Sequence, residues 1–299
     1  MSKESRKIKR KESDFRIIPV RTLVAILLPT IAILVLFLAS YSSFISMSLR
    51  ETVPGKAMVS DIWTMENYRK FFSSPVYFRL LFDTLYRSAE ITFFSLIFAY
   101  PLAYCLVRSS SKILRQTIML SMIIPLLSGG IAMAYSWMIL LGNVGLVNSS
   151  LQALGIIETP IRFLYHWLGV IIAIVHYCLP FTALSLVGPI RNVPRTLEEA
   201  GKNLGASKFT VFFRIVLPLT VPGIVEAVSL TYALALSSFL FPMMLGGGRV
   251  KMMANVVYEA IYVTYNYPFA GALATVLLIV SVFTVLAMTL LQRTVRRTV

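Results

Sequence analysis

Apolar runs recur along this chain, separated by short charged stretches. A bilayer core about 30 Å thick is crossed by about 20 apolar residues in helical form. No charged residue lies between Arg21 and Arg50, which gives a first span near 23–47. Glu90 and Arg108 bracket most of a second span, and a third follows Arg115 and runs to about 141. Arg162 and Arg191 bracket a fourth, near 168–188. A fifth runs near 219–241 and a last near 269–291. The pattern predicts an all-α integral membrane protein of six transmembrane helices.

Composition agrees with this class. Of 299 residues, 57% are hydrophobic and 14% charged, against about 25% charged in soluble domains. Mean hydropathy is +0.78. The organisation expected is a basic tail over 1–22, a six-helix domain over 23–292 and a short tail over 293–299. Short basic loops stay on the cytoplasmic side. With the N-terminus inside, nineteen of the 28 Lys and Arg residues fall inside and nine outside, so both termini are expected in the cytoplasm.

The net charge of +15 raises a nucleic-acid reading, which the membrane pattern displaces. Lys3, Arg6, Lys7, Lys9, Arg10 and Lys11 set topology and contact anionic lipid. The first apolar run is longer than the 7–15 residues of a secretory signal core and is read as a retained span. Cys105 and Cys178 fall inside spans and form no metal-ligand pattern. No metal or cofactor is expected.

About 30 residues separate the fourth and fifth spans, over roughly 189–218. Thr196-Leu197-Glu198-Glu199 reads as a capping box, with Thr196 at the N-cap and Glu199 reaching back. Gly205 suits a left-handed helix stop. Ser207 can cap a second helix carrying Phe209, Phe212, Phe213 and Val216, which Pro218 ends. Two helices joined at a glycine make a rigid elbow on the cytoplasmic side.

That elbow resembles the EAA loop of permease subunits of binding-protein-dependent type I ABC importers. The resemblance rests on Glu199-Ala200-Gly201-Lys202-Asn203-Leu204-Gly205 and, nine residues on, Ile215-Val216-Leu217-Pro218. It implies that Glu199, Ala200, Gly201, Gly205, Ile215, Leu217 and Pro218 form the element that docks on a separate ATPase. Gly201 stands where the family usually has a second alanine, and glycine weakens a helix by roughly 1 kcal/mol. The partners implied are a second permease subunit, two ATP-binding subunits and a periplasmic or lipid-tethered binding protein, in the bacterial inner membrane. The phosphate loop G-x-x-x-x-G-K-[ST] does not occur in the chain, so ATP hydrolysis falls to the partner and the chain is not expected to be an enzyme.

Further pieces resemble the polyamine-type branch of these permeases. They are Glu66 to Phe72, Tyr100-Pro101-Leu102-Ala103-Tyr104, Tyr135-Ser136-Trp137-Met138, Leu234 to Phe239, Pro242 and Leu245 to Gly248. Two departures stand out: Met133 replaces an arginine usual in the branch, and Ser238 replaces an acid. The branch implies a putrescine or spermidine cargo. The missing acid leaves opines, amino-acid derivatives, ferric iron, organic anions and sugars open.

Tyr100, Tyr135, Trp137, Ser238 and Phe239 are the candidates for the substrate pathway, with packing or an aromatic belt as the alternative. Pro101 is a candidate helix break. Glu90 lies one turn from Arg87 and reads as an ion pair, and His176 as a packing residue. An autonomous secondary transporter would need intramembrane carboxylates or paired broken helices. Glu90 and Glu226 sit near opposite ends of their spans and make a poor ion site.

Overall fold

The computed structural model describes residues 20–52 and 59–298. Residues up to Met47 form one unit and those from Ser48 onward a second. The first unit is built on helix α1 (Val20–Ser48), which carries no charged residue after Arg21. Of the expected basic tail, residues 1–19 lie outside the described residues, and its last three residues begin α1.

The second unit opens with an antiparallel ribbon of β1 (Arg50–Thr52) and β2 (Val59–Trp63), pairing Arg50 with Trp63 and Thr52 with Val59. Helix α2 (Glu66–Ser73) turns Asn67 and Phe71 inward. The Asn67 amide donates to the Ser48 and Arg50 carbonyls, and the Thr52 hydroxyl donates to Asn266 Oδ1 at 3.0 Å. These bonds tie the ribbon to the start of the last helix.

Helix α3 (Pro75–Arg108) runs 34 residues, beginning well before Glu90. Pro101 does not break it. Helices α4 (Lys112–Ser128) and α5 (Gly130–Leu140) follow, then α6 (Leu146–Ala153) and α7 (Trp167–Asn192). The loop after α7 holds α8 (Arg195–Asn203) and α9 (Lys208–Val211). A π-helical turn, Phe212–Val216, leads without interruption into α10 (Leu217–Leu236). The chain closes with α11 (Leu240–Gly246), α12 (Met253–Tyr262) and α13 (Tyr267–Thr298). The last helix therefore absorbs most of the expected C-terminal tail.

Helix α7 packs against both α3 and α10, which also touch each other, and α13 lies on α10 and α12. A helix apolar all round must be buried, and α7 fits: Val170, Ile174, Cys178, Leu186 and Ile190 are all inaccessible. Hydroxyls serve as the polar contacts between these helices. Thr182 of α7 meets Thr231 of α10 at 2.7 Å, and Tyr100 of α3 meets Thr220 of α10 at 2.8 Å. Interhelical bonds of this kind are worth about 0.6 kcal/mol in a membrane.

Among the described residues, five helices are long and apolar enough to cross a membrane: Leu27–Ser48, Pro75–Arg108, Trp167–Asn192, Lys208–Leu236 and Tyr267–Leu290. The expected third span is not one helix. Its halves α4 and α5 meet at 110°, and the count reaches six when that bent pair is one crossing. The bend is at Gly129, with φ 72° and ψ 149°, a conformation open essentially to glycine alone. The expected fifth span also differs. It starts inside the elbow and stops at Leu236, short of 241.

Candidate functional site

Two places hold most of the residues singled out by sequence: the elbow and the breaks in the third and fifth spans.

The elbow begins at Pro194, whose φ of −62° and ψ of 131° precede helical Arg195. Thr196 is therefore inside the helix, and the expected capping box with Glu199 does not form. The shift in helix start decides which acid points inward. Glu198 is buried and Glu199 exposed. Arg108 Nε lies 2.7 Å from Glu198 Oε1, with side chains 11% and 9% exposed. Tyr104 donates its hydroxyl to Glu198 Oε2 at 3.4 Å. Arg108 also donates to the Val193 carbonyl at 2.7 Å, and Arg195 to the Val107 carbonyl at 3.2 Å.

Helix α8 ends as the sequence predicts. Gly205 has φ +83°, and its N–H bonds the Lys202 carbonyl while that of Ala206 bonds the Gly201 carbonyl. These are the two bonds of a Schellman stop. Gly201 faces α9 and the π turn: a methyl group there would stand 3.0 Å from Ile215 Cδ1 and 3.2 Å from Val211 Cγ2. The smaller residue lets the two arms close on each other.

Ser207 caps the second arm, its Oγ accepting from the Thr210 N–H at 3.2 Å. Pro218 does not end that arm. The Leu217 N–H reaches back five residues to the Phe212 carbonyl, and Pro218 follows in the first turn of α10, where a missing N–H is tolerated. Ile215 and Leu217 are half-buried. Phe212 rests edge-on against Tyr100 and Tyr104 of α3, at 5.6 and 5.5 Å. The outer surface is apolar: Leu204 is 89% exposed, Phe209 77% and Phe213 55%. Beside it a cavity of about 300 Å³ is lined by Tyr104, Glu198, Lys202, Lys208 and the phenylalanines.

The second place is the break after α10. Ser237, Ser238 and Phe239 leave the helix before α11 begins. Backbone outside a helix at membrane depth must be buried in protein or face a cavity. Both hold here: Asn255 of α12 donates its amide to the Phe239 carbonyl at 2.7 Å, and a cavity of about 190 Å³ opens beside Ser238 and Phe239. Gly130, at the other break, and Tyr177 of α7 line the same cavity.

The five pathway candidates do not converge. Ser238 and Phe239 share the cavity. Tyr135 is 56% exposed on α5. Trp137 donates its indole N–H to His176 Nδ1 at 3.2 Å, and Tyr100 is 7% exposed within the core. Glu90 accepts from Arg87 at 3.0 Å and from Trp167 at 2.9 Å, the structural pair expected. Sequence reasoning missed Arg108, Glu198, Tyr177 and Asn255. The signal for Glu198 was its spacing: Glu198 and Gly201 are three apart and share a helix face.

A multi-pass helical membrane protein, with an elbow joining the fourth and fifth spans and breaks in the third and fifth, is built as a gated transport subunit. The chain belongs to the family of binding-protein-dependent transport system inner membrane components, matching it over residues 91–298. It is a permease subunit of an ABC importer. Its relatives include the spermidine/putrescine transport system permease protein PotB of Haemophilus influenzae, 33% identical over 74% of this chain and 77% of the relative. PotB of Escherichia coli is 32% identical over 75% and 81%. In fold the chain is similar to a subunit of a bacterial ABC transporter that imports the acidic polysaccharide alginate. That match has a TM-score of 0.76 and 19% identity, covering 98% of this chain and 99% of the other.

Proposed function

We propose that the chain forms half of the translocation pathway of a polyamine importer and that its α8–α9 elbow docks on a separate ATPase. The substrate reading rests on the similarity to the PotB proteins, which are spermidine/putrescine permeases. The coupling reading rests on the elbow's exposed surface: Glu199, Leu204, Phe209 and Phe213 stand outward on a stopped, capped frame. Exposed apolar groups rimmed by charge mark a docking surface, and Lys202, Lys208 and Arg214 supply the rim.

In this reading the chain lies in a bacterial inner membrane with both termini cytoplasmic, as the excess of basic residues on that side favours. A second permease subunit, identical or different, completes the pathway. Two ATP-binding subunits hydrolyse ATP, and a periplasmic or lipid-tethered binding protein delivers cargo. Closure of the ATPases draws the elbows together, and the spans attached to them swing the pathway from inward to outward opening.

A second reading concerns cargo. The cavity at Ser238 is lined by hydroxyl, aromatic and aliphatic groups, and none of its lining residues is acidic. A neutral or anionic solute suits such a lining as well as a diamine.

The test is ATPase activity of the complex in liposomes, with binding protein loaded with putrescine or spermidine. Polyamine-loaded protein stimulates turnover in the proposed case, and Glu199→Arg or Gly205→Pro abolishes complex formation or stimulation while membrane insertion is kept. Unaltered assembly and turnover in both variants reduces the elbow to a connection. Stimulation by another solute alone overturns the polyamine assignment.

A further inference from the structure

We propose that Arg108 and Glu198 are positioning residues that clamp the elbow to the inner end of α3, so that the elbow moves the second span directly. This rests on the coupling reading for its function, but not for its geometry. By chain connection the elbow is joined to α7 and α10 alone. Helix α3 ends 87 residues before α8 begins, and only tertiary contacts can join them.

Those contacts are an ion pair and several hydrogen bonds gathered at one corner. The guanidinium of Arg108 spends one nitrogen on the Glu198 carboxylate and another on the Val193 carbonyl. Arg195, at the start of α8, returns a bond to the Val107 carbonyl at the end of α3. Each side thus donates to the backbone of the other. Tyr104, one turn before Arg108, donates to the second carboxylate oxygen. On the far arm, Phe212 wedges against Tyr100 and Tyr104. A planar guanidinium held at several points fixes orientation as well as distance.

Burial makes the clamp close to all-or-none. Removing one partner of a buried ion pair strands the other charge out of water. The exposed Glu199 next door has no such constraint, so the two adjacent acids divide the work: one faces outward and one holds α8 against α3.

The experiment places spin labels at Ser110 and Asn203, both exposed, in a Cys105→Ala, Cys178→Ala background. The distance distribution is measured in nanodiscs, for the permease alone and for its complex with the ATPase with and without ATP. Expected for the wild type is one narrow distance that ATP leaves unchanged, because both ends move as one body. Glu198→Gln widens the distribution at least about twofold, since the stranded guanidinium no longer holds the elbow. Arg108→Lys widens it less, and Arg108→Glu combined with Glu198→Arg restores the narrow distance. A distribution in Glu198→Gln as narrow as the wild type overturns the clamp, as does a wild-type distance that changes with ATP. ATP should shift the distance in Glu198→Gln. Widening without that shift leaves the clamp standing and removes the coupling reading.

Discussion

Pro189 of α7 and Gly223 of α10 touch so closely that a methyl group on Gly223 would come within 2.2 Å of the Pro189 ring. The contact lies just above the elbow, where the fourth and fifth spans converge. Small residues at helix crossings let backbones approach without a hydrophobic driving force. A proline ring cannot swing aside as the end of a long side chain can.

Gly223→Ala should therefore force α7 and α10 apart and cost about 1–3 kcal/mol. Gly188, one residue from Pro189, has open space where a Cβ would go. Gly188→Ala should be neutral or slightly stabilising. Thermal unfolding of the two variants in one detergent checks the pair, and equal behaviour would contradict the crossing.

Gly205→Ala places a side chain at φ +83°, which costs about 1 kcal/mol. The amides of Gly205 and Ala206, both bonded in the helix stop, should then exchange with solvent about fivefold faster. Gly205→Asn should cost less, because asparagine visits this conformation more readily. Hydrogen exchange on a peptide spanning the elbow reads this directly.

Asn255 is 4% exposed and serves two backbone groups: its Nδ2 donates to the Phe239 carbonyl and its Oδ1 accepts from the Met252 N–H. Asn255→Ala orphans both, at about 1–3 kcal/mol each. Asn255→Asp keeps the acceptor and loses the donor, so the Met252 N–H should stay protected while the bond to the Phe239 carbonyl is lost. Exchange at the Met252 amide separates the two.

Tyr100→Phe removes one interhelical bond to Thr220 and should cost about 0.6 kcal/mol with uptake unchanged. Phe239→Ala, at the cavity, should lower uptake more than stability. Transport assays normalised to inserted protein distinguish core from pathway.

Much of this was legible in the sequence. Charges bracketing apolar runs located the spans, and Gly205 announced its own conformation. What failed did so for physical reasons. A hydropathy window averages across Gly129-Gly130, so a 110° bend read as a straight helix. Pro101 looked like a break because its missing N–H is local information, whereas the packing of α3 on α7 and α10 is not. Pro218 misled in the same way, since the π turn before it was invisible. Tyr100 shared the aromatic signature of a pathway residue and proved to be core. Choosing between Glu198 and Glu199 needed the position of Arg108, 90 residues away, and no local pattern carries that.

The absence of a stop at Pro218 has a geometric result. From Lys208 to Leu236 the chain is one rod of 29 residues, about 43 Å long at 1.5 Å per residue. Its foot is in the elbow and its tip is at Ser237, on the wall of the cavity. Tilting such a rod by about 10° about its foot sweeps its tip through roughly 7 Å at that length. That sweep exceeds the width of a side chain, so an angle too small to disturb packing at the foot is enough to open or close the space beside Phe239.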